Sequence, residues 1–160
     1  DYVFVNFFDE DSLVEQFNKA IKKESKKYPV EHDLVFVLMS FNPDLKKVFT
    51  EIELAAKLHN NKIKVIRIDQ KRGDYSITPE ILNHIRKAKL IVCDLTEEKP
   101  NVYYELGYAR GKEKTVIHLA KNGTILHFDV NDNHTIYYED PTDLRSKLIP
   151  ELKDIFDYEL

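Results

Sequence analysis

The sequence predicts an α/β domain built on a doubly wound parallel sheet of five strands, with helices on both faces. Three observations predict it. From residue 33 onward, short apolar runs alternate with amphipathic helical stretches. The first run, "DLVFVLMS" (33–40), is nearly all apolar, as a strand buried on both faces must be. The repeating strand–helix units also have the size that a parallel sheet covered on both faces requires.

Each element follows in turn. After Asn42-Pro43, "PDLKKVFTEIELAAKLHN" (43–60) sets Leu45, Val48, Phe49, Ile52, Ala55 and Ala56 on one helical face. "KIKVIRID" (62–69) is the second strand. The polar loop "QKRGDYSI" runs to Thr78-Pro79, an N-cap followed by proline at the first helical position. A helix to about Ala88 carries Ile81, Leu82 and Ile85. "KLIVCDL" (89–95) is the third strand, "PNVYYELGYARG" (100–111) a helix closed by Gly111, and "KTVIHLA" (114–120) the fourth strand. "HTIYYED" (134–140) gives a short fifth strand. "PTDLRSKLIPELKDIF" (141–156) is a closing helix that Pro150 is expected to interrupt or kink. Right-handed crossovers then select a flavodoxin-like connectivity.

Residues 1–31 stand apart from this domain, which takes 32–160. "YVFVNFF" (2–8) reads as a strand, and "EDSLVEQFNKAIKKESKK" (10–27) as a helix with Leu13, Val14, Phe17, Ala20 and Ile21 on one face. The pair either adds to a sheet edge or is the tail of a preceding domain. A start at Asp1 without methionine suggests a domain cut from a longer protein.

Composition bounds the function. The chain has 160 residues, 42% of them hydrophobic and 32% charged, which is globular. That length buries roughly 70% of the surface an unfolded chain exposes. A net charge of −4 argues against a nucleic-acid binder that relies on a broad basic surface. Cys93 is the single cysteine and lies in a strand-like run, which suits a reducing compartment. No apolar run approaches the roughly 20 residues of a membrane helix, and no signal peptide is visible. A cytoplasmic protein without membrane contact is the expectation. The six histidines show no metal-ligand spacing, so neither a metal nor a cofactor is expected. Four glycines form neither a Walker-type nor a dinucleotide-binding run.

In open α/β sheets, ligands sit at the carboxyl ends of the strands. That rule nominates Ser40-Phe41-Asn42, Asp69 with its loop, Asp94 to Asn101, and Ala120 to Asn122. Helical geometry makes Val102, Leu106 and Ala109 the buried stripe of the 100–111 helix, with Glu105 on its edge beside Asn101, Tyr104 and Tyr108. A half-buried carboxylate is costly unless it is paired or used. Glu105 is therefore either a surface residue tied to Lys99 or Arg110, or a working group.

These residues carry a resemblance. "FVLMSF", "VIRID", "IVCDLTEEKPNVYYELGYARGKEKTVIHLA" and "FDV…TIYYED", in this order, resemble the nucleoside 2-deoxyribosyltransferase-like superfamily, and within it the TIR-like branch. The match covers about residues 33–158 and is most specific across Asp94 to Gly107. The resemblance implies N-glycosidic chemistry on a nucleotide, NAD or a (deoxy)nucleoside monophosphate, as substrate. Glu105 matches the glutamate that attacks the anomeric carbon, an arrangement that suits an oxocarbenium-like centre. The aspartate that handles the base in the transferases has no counterpart within Glu97-Glu98-Lys99-Pro100. Asp94 is the substitute acid or ribose-hydroxyl acceptor, or merely caps its loop. Asp69 binds sugar hydroxyls or caps a loop, and Asn101 positions a sugar or phosphate or caps the helix. Tyr104 and Tyr108 stack on a base or simply pack. Ser40 and Phe41 complete the expected binding set. The resemblance further implies a fused or associated sensing domain, activity as a homo-oligomer, and antiviral defence by a bacterial effector. The alternative is a module of the same fold that binds a nucleotide without turning it over.

Overall fold

Pairing in the sheet is parallel throughout, in the order β2-β1-β3-β4-β5. The strands are β1 (Glu31–Leu38), β2 (Lys64–Ile66), β3 (Ala88–Asp94), β4 (Thr115–Lys121) and β5 (Thr135–Tyr138). The helices are α1 (Glu10–Lys27), α2 (Lys46–His59), α3 (Pro79–Lys87), α4 (Pro100–Gly111) and α5 (Pro141–Asp157), with a 3-10 turn at Pro43–Leu45 before α2. The computed structural model describes residues 10–68, 78–126 and 134–157. The chain divides into two compact units, Asp1–Val30 and Glu31–Leu160. α1 belongs to the first; the strand expected at 2–8 lies outside the described residues. No described helix is long and apolar enough to cross a membrane.

Strand alternation sorts the core into two layers. Val35, Val37, Leu90, Val92, Ile117 and Leu119 point to one face, where Ile52 and Ala55 of α2 and Leu144 and Leu148 of α5 cover them. Leu34, Phe36, Leu38, Ile91 and Cys93 point to the other, under Ile81 and Ile85 of α3 and Val102 and Leu106 of α4. Both faces of the central strands are thus dry, which is why their sequences read as continuous apolar runs.

Local signals explain most boundaries. The Thr78 hydroxyl accepts from the Ile81 amide at 3.4 Å, with Pro79 at the first helical position. One expectation is corrected. Pro150 leaves α5 continuous to Asp157: it lies on an exposed position, where water can satisfy the carbonyl its missing N–H leaves behind. α4 closes at Gly111, as expected, but Gly111 is itself helical; Lys112 is the C-cap and Glu113 takes the left-handed region at φ 54. The Lys114 amide donates to the Ala109 carbonyl at 3.1 Å and the Glu113 amide to the Arg110 carbonyl at 2.8 Å. That pair of bonds is a Schellman motif.

The strand order reverses between β1 and β3. From β1 the chain crosses to β2 on one side, and from β3 to β4 on the other, so the loops leaving β1 and β3 part and leave a crevice at their carboxyl ends. Ser40 to Asn42 and Leu95 to Lys99 are those loops.

Candidate active site

Glu105 is on α4, which starts just beyond the β3 exit. Pro100 occupies the first helical turn, with Lys99 as N-cap and no side-chain capping bond. Asn101 therefore sits inside the helix and does not cap it. The buried face of α4 is Val102, Glu105, Leu106 and Ala109. Glu105 belongs to that stripe and not to its edge: it is only 6% exposed, so the surface alternative does not hold. Burial pushes its carboxyl up to about 7 from an ordinary 4.5. Burial also raises the neighbouring Cys93 thiol, and the charges of Asp94 and Glu105 push it the same way.

Asp94 ends β3 and is 2% exposed. Its Oδ1 accepts from the Thr96 amide at 2.9 Å, and its Oδ2 accepts from the Tyr138 hydroxyl at 2.8 Å. Tyr138 also meets the Thr96 hydroxyl at 3.1 Å, whose oxygen accepts from the Lys121 amide at 3.0 Å. This network ties the exits of β3, β4 and β5 together. Burial raises the Asp94 carboxyl, and the bonds from Thr96 and Tyr138 partly oppose that rise. Tyr138 is pushed well above the ordinary phenol by burial, with the Asp94 charge adding to the shift. By alternation Asp94 points with Leu90 and Val92 to the α2–α5 face, whereas Glu105 lies on the α3–α4 face. The two carboxylates share the rim of the sheet but not one side of it.

The remaining nominees divide. Ser40 is buried at the β1 exit and accepts weakly from the Asn42 amide at 3.4 Å. Phe41 is 38% exposed, with the Arg67 guanidinium 4.9 Å from its ring centre. Tyr104 is 58% exposed. Tyr108 is half-buried and carries the Arg86 guanidinium 5.2 Å above its ring. Asp69 lies outside the described residues.

Two contributors, Arg67 and Tyr138, lie outside the nominated segments, and the pairing of the nominated Asn42 and Glu97 was not expected. Arg67, just past β2, has its guanidinium carbon 4.9 Å from the Phe41 ring centre and 4.7 Å from that of Phe49. The Asn42 side-chain amide donates to the Glu97 carboxylate across the crevice, and Lys99 stands 3.8 Å from the other Glu97 oxygen. Tyr138 is the partner of Asp94. Arg67 left one signal, a cation within the strand-like run "VIRI"; Tyr138 left none, and the pairing of Asn42 with Glu97 left none either, because these contacts join residues 42 to 55 positions apart.

Behind α4, His118 is buried, its Nε2 faces the Arg110 guanidinium at 3.3 Å, and burial with the Arg110 charge lowers it to about 4. It is neutral near pH 7. Among the described residues no group of three or more histidine, cysteine, aspartate or glutamate side chains is arranged to hold a metal ion. A cleft of about 370 Å³, lined by Lys47, Thr50 and Glu51 of α2 and by Asp140 to Thr142, lies on the α2–α5 side, away from Glu105.

No protein-family model matches the chain, and no curated protein matches it in sequence. Among solved structures the chain is similar to that of the Clostridium botulinum CMP N-glycosidase BcmB, with a TM-score of 0.54 and 19% identity over 72% of this chain and 97% of that one. At that identity the likeness establishes a shared α/β fold.

Proposed function

We propose that this chain is a nucleotide N-glycosidase in which Glu105 is the nucleophile. A Glu105 oxygen bonds to the anomeric carbon as the bond from that carbon to the base nitrogen breaks. The bonding pair leaves with the base, which takes up a proton. Water then cleaves the glycosyl ester, releasing the sugar and returning the carboxyl group. The observation that carries this reading is a buried carboxyl group, 6% exposed, on the helix that opens at the switch point of the sheet. The match of Glu105 to the glutamate of the deoxyribosyltransferase-like proteins supports it, as does the fold shared with an enzyme described as a CMP N-glycosidase. NAD and (deoxy)nucleoside monophosphates are the candidate substrates, and the neighbour's chemistry puts a monophosphate first. The resemblance also supports a cytoplasmic bacterial defence effector, coupled to a sensing domain and active as a homo-oligomer.

One observation favours a second reading, a nucleotide-sensing module without turnover. Both Asp94 oxygens are already engaged, so the substitute acid is committed to holding the sheet rim. Base release separates the two. The protein is incubated with CMP, other ribo- and deoxyribonucleoside monophosphates, and NAD, and free base is followed by chromatography. The expected outcome is release that Glu105→Gln abolishes. No release from any substrate, together with a nucleotide-dependent rise in Tm, makes the chain a sensor.

A further inference from the structure

Among the described residues, β5 is an outer strand of the sheet. Such a strand bonds one row of backbone groups inward and turns a second row to the open side. The Tyr138 carbonyl accepts from the Asn122 amide at 2.8 Å, on the β4 side. Backbone direction alternates along a strand, so Tyr137 and Glu139 turn their peptide groups outward. Two of those outward groups are taken. The Lys147 ammonium donates to the Tyr137 carbonyl at 2.8 Å, and the Glu139 amide donates to Asp143 Oδ2 at 2.9 Å. Lys147 and Asp143 lie one turn apart on α5, and the ammonium also donates to that same Oδ2 at 2.8 Å.

In a parallel ladder, one residue of an added strand would donate its N–H to the Tyr137 carbonyl and accept at its C=O from the Glu139 amide. Lys147 supplies that donor and Asp143 that acceptor. A second copy related by a two-fold axis would bring its own β5 antiparallel to this one, and that pairing needs the same two groups. We propose that Asp143 and Lys147 form an edge guard, standing in for one residue of a sixth strand and keeping β5 from pairing with β5 of a second copy. The strand they guard, Thr135-Ile136-Tyr137-Tyr138, consists wholly of residues that favour sheets, and its Tyr137 is 37% exposed. As an ion pair the guard is exposed and adds little to stability; its effect is to occupy the edge. The bonds from Lys147 and from the Glu139 amide hold the Asp143 carboxyl below the ordinary carboxylate range, so it stays ionised and the edge stays closed at neutral pH.

The test is the mass of the full chain by sedimentation over a concentration series. Lys147→Met keeps the aliphatic stem and removes the ammonium, which bares the Tyr137 carbonyl. Its mass is expected to rise about twofold over that of the unsubstituted protein at the same concentration, the step of a two-fold dimer. Adding Tyr137→Pro should reverse the rise, because proline removes an outward N–H and leaves the bonds to β4 in place. A mass equal to that of the unsubstituted protein at every concentration, or a rise that Tyr137→Pro does not reverse, overturns the proposal. Should either variant not fold, amide exchange in the unaltered chain carries the test. The Glu139 amide, held by Asp143, should then exchange more slowly than the Tyr137 amide on the same open side. Equal rates for the two amides overturn the guard.

Discussion

At the scale of single residues, the two carboxylates at the sheet rim have opposite fates. Asp94 has its oxygens filled by Thr96 and Tyr138, which satisfies its burial and makes it a brace. Burial raises the Glu105 carboxyl to about 7. Between its ordinary 4.5 and about 7, the folded chain keeps a proton that the unfolded chain releases. Stability contributed by that retained proton is present at low pH and is lost as pH rises through that window. At full ionisation the cost is up to about 3 kcal/mol. Glu105→Gln cannot ionise, so it should melt close to the unsubstituted protein at pH 5 and distinctly higher at pH 8. A Tm difference that does not change with pH would mean the carboxyl group is not destabilised by burial. The same titration governs turnover. A nucleophile must be ionised, so kcat/KM should rise with pH through about 7, whereas an acid role would make it fall.

At the scale of elements, legibility followed how local the signal was. Thr78-Pro79 announced α3, and the apolar spacing of α2 and the runs of β1 and β3 announced their places, because caps and periodicity act within a turn or two. α4 was legible from "PNVYYELGYARG" with the bounds it has, but the residue that turns the chain out of the helix was not. A glycine near a helix terminus suggests the left-handed residue, yet Gly111 is helical and Glu113 takes that conformation at φ 54. The Schellman bonds from Glu113 and Lys114 fix the position, and only hydrogen-bond geometry reveals it. A side chain there costs roughly 1 kcal/mol that glycine does not. Glu113→Gly is expected to raise stability by about that amount in denaturant melts. A loss would show that the Glu113 side chain holds a contact outweighing its strain.

At the scale of the whole molecule, the sheet could be inferred because its strands announce themselves by double-sided burial, and the rim could be inferred from topology alone. What could not be read was which rim residues meet. Asn42 with Glu97, Arg67 with Phe41 and Phe49, and Asp94 with Tyr138 are pairings set by strand order and register, and no run of sequence encodes them. The role of the first 31 residues was equally closed to the sequence, which left a sheet-edge addition and a tail of a preceding domain both open. The second unit begins at Glu31, and both layers of its core are drawn from residues between Leu34 and Leu152. All five strands of its sheet lie within the same unit. A chain starting at Tyr28 should therefore keep a single cooperative unfolding transition, with Tm within about 4 °C of the full chain, the shift that roughly 1 kcal/mol produces in a domain of this size. Far-UV circular dichroism against temperature reads it directly. A broad, non-cooperative melt or a much lower Tm would mean that residues 1–27 complete the sheet, and the edge-addition reading would stand in place of an independent unit.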